Sequence, residues 1–372
     1  MGASSDILRF SVVHFYQNHL RKETPVTRYI GLDAHSSSCT FAVISERGKR
    51  LKHQTVETNG SVLLEFVKTV PKTRYLCVEE GTQSQWLYDI LSGHVEEMIV
   101  VRQHKIVGNK DDIRDAYKLA EDMRIGAAQP IFKELGQYRR LKSLTHTYGM
   151  VTRDTVRIEN RIKAIYRSGG ISTSDSNVYI SGQRQKWLDK VVLEHRASIE
   201  ILYSQYDSVR ELKQQAQALL LEELQRHAIS KVLKTCCGMG EIRVAQLMSV
   251  VVTPYRFRTK RQLWNYSGLG VIMRSSSDWE KTANGWKYIE KAKTRGLNRN
   301  FNRTLKEVFK GAATTVIATR QRPMYDDYVR MLEQGSKPPI AKLTIARKIA
   351  ATVLVMWKNK EAYDPQRDRN IR

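Results

Sequence analysis

Four carboxylates stand where a folded chain could gather them. Asp33 ends the apolar run Tyr29-Ile30-Gly31-Leu32-Asp33, and Glu79 ends another that starts at Tyr75. A carboxylate at the end of a strand projects into the crevice where α/β folds hold ligands. Asp112 and Asp115 lie in Asn109-Lys110-Asp111-Asp112-Ile113-Arg114-Asp115-Ala116, the opening of a predicted helix that continues to Met123. Their i, i+3 spacing puts both on one helical face. Hard divalent cations prefer oxygen ligands, and a pair of such ions orients and polarises a phosphodiester for in-line displacement. Asp33, Glu79, Asp112 and Asp115 are therefore the candidate metal ligands and catalytic acids, with Mg2+ or Mn2+ as the ion. A plainer reading stands beside this one. Asp33 could be a turn residue, and acids in a first helical turn offset the helix dipole. Glu80 adjoins Glu79, and only one of the two can enter a site because strand neighbours face opposite ways. Glu79 ends the apolar strand directly.

The second chemical candidate is Ser275-Ser276-Ser277-Asp278, which follows Tyr266-Ser267-Gly268-Leu269-Gly270. A serine hydroxyl attacks phosphorus and holds the cut strand covalently when a metal or base withdraws its proton. A serine run is also ordinary loop composition, and no His or Lys stands at an obvious activating spacing.

The elements that must position these groups change character along the chain. From Thr27 to about residue 130, β-rich runs at 29–33, 40–44 and 51–56 are followed by helical periodicity over 61–69 and 85–91 and by strands at 75–79 and 98–101. That order predicts an α/β mixed sheet of three antiparallel strands followed by βα units. The middle of the chain has apolar residues at heptad spacing: Leu141, Leu144, Tyr148, Val151, Thr155, Ile158, Ile162 and Ile165, then Leu188, Val192, His195, Ile199, Leu202, Tyr206, Val209, Lys213, Ala216 and Leu220. With the Gly/Ser/Asn-rich stretch 169–182 between them, they predict a coiled-coil helical hairpin or an oligomeric coiled coil. From about residue 228 the chain reads as mainly helical. There Gly238-Met239-Gly240 and the apolar helix after it resemble a helix-hairpin-helix, in which glycine lets backbone approach a DNA phosphate. Residues 294–300 read as loop and 344–357 as helix. The expected domains are an N-terminal extension (1–28), an α/β catalytic domain (29–135), a helical hairpin (136–227) and a helical C-terminal domain (228–372).

Charge points to the partner. Against 38 Asp and Glu stand 62 Lys and Arg, a formal net charge of +24. Such an excess repels itself unless a polyanion relieves it, and nucleic acid is the commonest polyanion in a cell. The four cysteines form no C-x-x-C pair, which argues against a zinc site and fits a reducing cytoplasm. No run of 18 uncharged apolar residues suggests a membrane span.

Taken in order, these residues resemble a known family. From Tyr29 to Pro365 the chain is similar to the DEDD-type insertion-sequence transposases of the IS110 class, and within it the IS1111 subgroup. The carrying motifs are Tyr29-Ile30-Gly31-Leu32-Asp33-Ala34-His35, Val78-Glu79-Glu80-Gly81-Thr82 with Trp86-Leu87-Tyr88, and the 109–116 stretch. Further on come Gly238-Met239-Gly240, Arg256-Phe257, Gln262-Leu263-Trp264-Asn265-Tyr266-Ser267-Gly268-Leu269-Gly270 and Arg274-Ser275-Ser276-Ser277. The resemblance implies a RuvC-like (RNase H-like) N-terminal domain, a coiled-coil insertion and a C-terminal transposase domain. Asp33, Glu79, Asp112 and Asp115 are then the metal-binding acids and Ser276 the nucleophile. Ser275 is the alternative, because Ser277 fills a position that is commonly glycine in the family. The implied partners are donor and target DNA, a structured non-coding guide RNA (a bridge or seeker RNA) and further copies of the chain, as a dimer or tetramer that completes a composite site. The implied setting is the bacterial cytoplasm, at the nucleoid. Two other readings remain: a RuvC-like endonuclease that resolves branched DNA with water as nucleophile, and a non-catalytic nucleic-acid-binding protein.

Overall fold

A computed structural model describes residues 26–102, 111–133, 136–173, 176–273, 279–283, 285–288 and 294–366. The chain divides between Gln137 and Tyr138 into two compact units.

The first unit is built on β1 (Arg28–Ala34), β2 (Ser38–Ser45), β3 (Arg50–Glu57), α1 (Gly60–Thr69), β4 (Arg74–Glu79), α2 (Ser84–Leu91), β5 (Glu97–Val101), α3 (Asp112–Arg124) and β6 (Pro130–Ile131). Its sheet order is β3-β2-β1-β4-β5-β6. Strands β1, β2 and β3 pair antiparallel, β4 lies parallel to both β1 and β5, and β6 closes antiparallel. The mixed sheet expected from the strand order is thus present. The short hairpin turn permits antiparallel pairing, whereas the helices between later strands impose parallel pairing. Ile30, Leu32, Phe41, Val43, Leu76 and Val78 face α1 and α2, whose Leu63, Phe66, Val67, Leu87 and Leu91 complete one core. The opposite face belongs to α3, through Ala116, Tyr117 and Ala120 against Ala42 and Ile44, and Leu119 and Met123 against Cys77 and Val101.

The second unit begins with α4 (Arg139–Ser168), α5 (Arg184–Leu188) and α6 (Leu193–Gln225). Helices α4 and α6 run antiparallel: Arg140 near the start of α4 lies 3.3 Å from Glu223 near the end of α6, and Tyr166 at the far end of α4 is hydrogen-bonded to Tyr203. Ile158, Ile162, Tyr166, Ile199, Tyr203 and Tyr206 are buried between them. The second apolar register starts later than its spacing suggested. The helix breaks between Leu188 and Leu193, and Val192 and His195 are exposed. Val192 is the residue preceding α6, so its side chain is not on a helical seam.

The chain continues through α7 (Ala228–Leu233), α8 (Glu241–Val251), α9 (Lys260–Tyr266), β7 (Val271–Met273), β8 (Trp279–Thr282), β9 (Gly285–Tyr288), β10 (Thr294–Leu297), α10 (Arg303–Ala318), α11 (Met324–Glu333) and α12 (Pro338–Asn359). Residues from α8, α10 and α12 form its core, joined at its base by Leu141, Leu220 and Leu224 of the hairpin helices. Residues 294–297, expected as loop, instead pair with β7. Arg295 and Gly296 gave no apolar alternation to signal a strand.

Candidate active site

Strand β1 and helix α3 determine where the acids meet. A Cβ on Gly31 would lie 1.8 Å from the Ala116 carbonyl oxygen and 2.7 Å from the Ala120 nitrogen. Only glycine lets α3 settle this close to the strand. Strand alternation places Asp33, two residues further on, on the same α3-facing side as Gly31. The first turn of α3 reaches that end of β1.

His35 completes the meeting point. Its Nε2 is 3.3 Å from Asp33 Oδ2 and 3.3 Å from Asp112 Oδ1. The turn after β1 fixes the backbone beneath the ring: His35 N–H donates to Ser38 O, and the Thr58 hydroxyl donates to His35 O. Each of Asp33, His35 and Asp112 offers one ligand atom, and these atoms lie within 4.8 Å of one another. Asp33 is the most enclosed, with its side chain 13% exposed. Two carboxylates and an imidazole suit a divalent cation in kind, oxygen serving Mg2+ or Mn2+ and nitrogen favouring the transition ion.

The other expected acids stand on the same side but outside that tight group. Leu32 pairs with Val78 in the parallel β1–β4 register, so Asp33 and Glu79 are the next residues on adjacent strands. Glu79 shares its face with Cys77, which packs against α3. Glu80 has left the strand, and its carboxylate lies 3.8 Å from Lys133 Nζ. Asp115 is on the first turn of α3, 11% exposed, with Arg114 Nε 3.9 Å away. Asp111 is the N-cap of α3, and its side chain accepts from the N–H groups of Ile113 and Arg114. Asp112 and Asp115 lie in the first turn of α3, where acids also offset the helix dipole.

In the second unit, the Gly268-Leu269-Gly270 stretch is tightly held ahead of β7. Gly268 has φ +67°, and a Cβ there would lie 2.5 Å from the Phe301 ring. Leu269 O accepts from Arg347 Nε at 2.7 Å, while Trp264 Nε1 donates to Arg347 O at 2.9 Å. Burial lowers the Arg347 pKa from its ordinary value. The candidate nucleophile Ser276 and its alternative Ser275 lie outside the described residues. At Gly238-Met239-Gly240, the first glycine is used inside the fold: a Cβ there would lie 2.4 Å from Ala312 O, and its N–H donates to Gln321 Oε1. Gly240, before the first turn of α8, has open space at its Cβ position.

Residues 30–168 match the family model of the IS110 DEDD type, described as a transposase. Residues 230–330 match a second model, described as the transposase IS116/IS110/IS902 family. The chain belongs to the IS110 family of transposases. Its mixed-sheet first unit is consistent with the RuvC-like DEDD domain of such enzymes, and DNA is the substrate class of a transposase. A search of curated proteins finds no match. Among the described residues, no helix of this IS110-family transposase is long and apolar enough to cross a membrane.

One residue of the cluster was not singled out from the sequence. His35 lies within the motif that carries Asp33, and the only signal for it was a metal-competent side chain two residues beyond a strand-end acid.

Proposed function

We propose that this transposase is an RNA-guided DNA recombinase that cuts and rejoins strands of a mobile element through a phosphoserine intermediate, with Mg2+ or Mn2+ held by its acids. The meeting of Asp33, His35 and Asp112 at the end of β1 carries this reading, because it puts metal-competent donors where the sheet opens. Asp33 and Asp112 supply oxygen ligands, His35 a nitrogen ligand, and Glu79 and Asp115 close the site from the neighbouring strand and helix. A divalent ion bound there would polarise the scissile phosphodiester and favour loss of the serine proton.

The remaining roles fall to the chain itself. Ser276 Oγ attacks phosphorus, an Oγ–P bond forms, and the bond from phosphorus to one sugar oxygen breaks. The departing sugar oxygen takes up a proton, while the serine proton passes to a carboxylate or to water. The phosphodiester becomes a phosphoserine ester, so a second sugar hydroxyl can reverse the exchange and rejoin strands without an external energy source. The basic surface binds donor and target DNA and a structured non-coding guide RNA. The α4–α6 hairpin joins protomers, so that the acids of one copy meet the serine of another in a dimer or tetramer. The domain limits proposed are 29–135 for the acidic domain, 136–227 for the hairpin and 228–372 for the serine-bearing domain, in a bacterial cytoplasm at the nucleoid.

The test is mass spectrometry of the protein after reaction with an element-end DNA. A nucleotide-modified peptide spanning Ser275 and Ser276, absent from Ser276→Ala, is the expected result. Strand cleavage that survives replacement of both serines would favour the alternative in which water attacks.

A further inference from the structure

The β8–β9 ribbon carries a surface that neither the acids nor the serine run explains. Its register pairs Trp279 with Tyr288 and Lys281 with Trp286. Residues two apart on a strand share a face, and paired residues point the same way. Trp279, Lys281, Trp286 and Tyr288 therefore line one side of the ribbon. All three rings are largely exposed, Trp279 by 53%, Trp286 by 66% and Tyr288 by 54%. The ribbon is a sheet of its own, held by the edge-on contact of Trp279 with Tyr288 at 5.7 Å and by the turn hydrogen bond from Thr282 Oγ1 to Gly285 O.

Three large rings on one exposed face are an unusual use of apolar area, and clustered exposed aromatics mark a binding surface. Charge decides the kind of partner. Between residues 274 and 299 the sequence has Arg274, Lys281, Lys287, Lys291, Lys293, Arg295 and Arg299 against Asp278, Glu280 and Glu290. Rings that share their face with Lys281, in a stretch of net positive charge, fit unpaired nucleobases, whose faces stack on aromatics while phosphates meet cations. A base within an intact duplex is already stacked on both faces and cannot use such a platform.

We propose that the β8–β9 ribbon is a stacking platform for single-stranded DNA, receiving bases that leave the duplex when strands are cut and exchanged. The inference depends on DNA being the substrate and not on the identity of the nucleophile. It follows directly in sequence the segment that carries Ser276, so the platform would hold a strand end close to the serine-bearing stretch.

The experiment compares the full chain with Trp286→Ala and Trp286→Phe by fluorescence anisotropy, using a labelled oligothymidylate, the same length of oligouridylate and a blunt duplex. Removal of one stacking ring should weaken oligothymidylate binding by about 5- to 100-fold. Duplex affinity should change by less than about 2-fold, because phosphate contacts dominate it, and Trp286→Phe should restore most of the loss. An equal loss on duplex, or none on oligothymidylate, overturns the proposal. A loss confined to oligouridylate overturns it in favour of RNA. Photocrosslinking of a bromodeoxyuridine oligonucleotide to the unmodified protein gives a readout independent of variant folding. Adducts on Trp279, Trp286 or Tyr288 are expected, and adducts found solely elsewhere contradict it.

Discussion

Gly31 and Ala116 approach so closely that a single added methyl carbon at residue 31 would stand 1.8 Å from the Ala116 carbonyl oxygen. That backbone-to-backbone contact brings the start of α3 to the end of β1, and with it Asp112 to the neighbourhood of Asp33. Gly31→Ala should therefore act on stability and on the acids together. Backbone atoms cannot rotate away as a side-chain tip can, so the cost should reach about 1–3 kcal/mol or more. Urea unfolding measures the loss, and an unchanged midpoint would show that α3 is not held where described.

His35 stands between two carboxylates. Imidazole suits first-row transition ions better than Mg2+, so His35→Ala should weaken Mn2+ binding more than Mg2+ binding, by about 10-fold or more for Mn2+. Electron paramagnetic resonance of free Mn2+, with Mg2+ as competitor, reads both affinities. An equal change for the two ions would mean that the ring does not ligate.

The hairpin helices should be acid-sensitive at Asp207. Arg184 makes two hydrogen bonds to its carboxylate, each 2.6 Å, and these hold the Asp207 pKa below its ordinary value. Depression of the folded-state pKa gives stability that is present above the unfolded value, near pH 4, and is lost as pH falls through the lower folded value. Asp207→Asn should thus lower the unfolding midpoint at pH 7, with the gap to wild type narrowing below about pH 4. A gap that stays constant with pH would contradict the pairing.

Arg347 pins the stretch that leads to the serine run. Arg347→Met removes the donor to Leu269 O within a buried environment, and an unsatisfied buried acceptor costs about 1–3 kcal/mol. Thermal unfolding checks the cost. Cleavage by the folded variant should fall as well, since Gly268-Leu269-Gly270 lead through β7 into residues 274–278; full activity would separate this support from the chemistry.

The sheet was legible because β1, β2, β4 and β5 are largely apolar runs bounded by turns, and Asp111 through Asp115 announced a helix start. Glu79 and Asp33 were also legible as strand-end acids. The role of Gly31 was not, because a close approach depends on which helix later packs on the strand. His35 was missed because the ring joins the acids through the turn after β1, not through a periodic pattern. Val192 and His195 looked like seam residues because heptad spacing does not reveal where a helix breaks. Strands β8 to β10 were hidden by polar, cationic composition, and their aromatic face appears only when register pairs Trp279 with Tyr288 and Lys281 with Trp286.

The most direct measurement is cleavage of element-end DNA across a divalent-cation titration, run on the wild type, Asp33→Asn and Asp112→Asn, with nucleic-acid binding recorded on the same samples. Wild-type cleavage should require Mg2+ or Mn2+, and each variant should lose about 100-fold or more while still binding DNA. Cleavage that persists in EDTA, or that survives in both variants, would contradict an active centre built from Asp33 and Asp112.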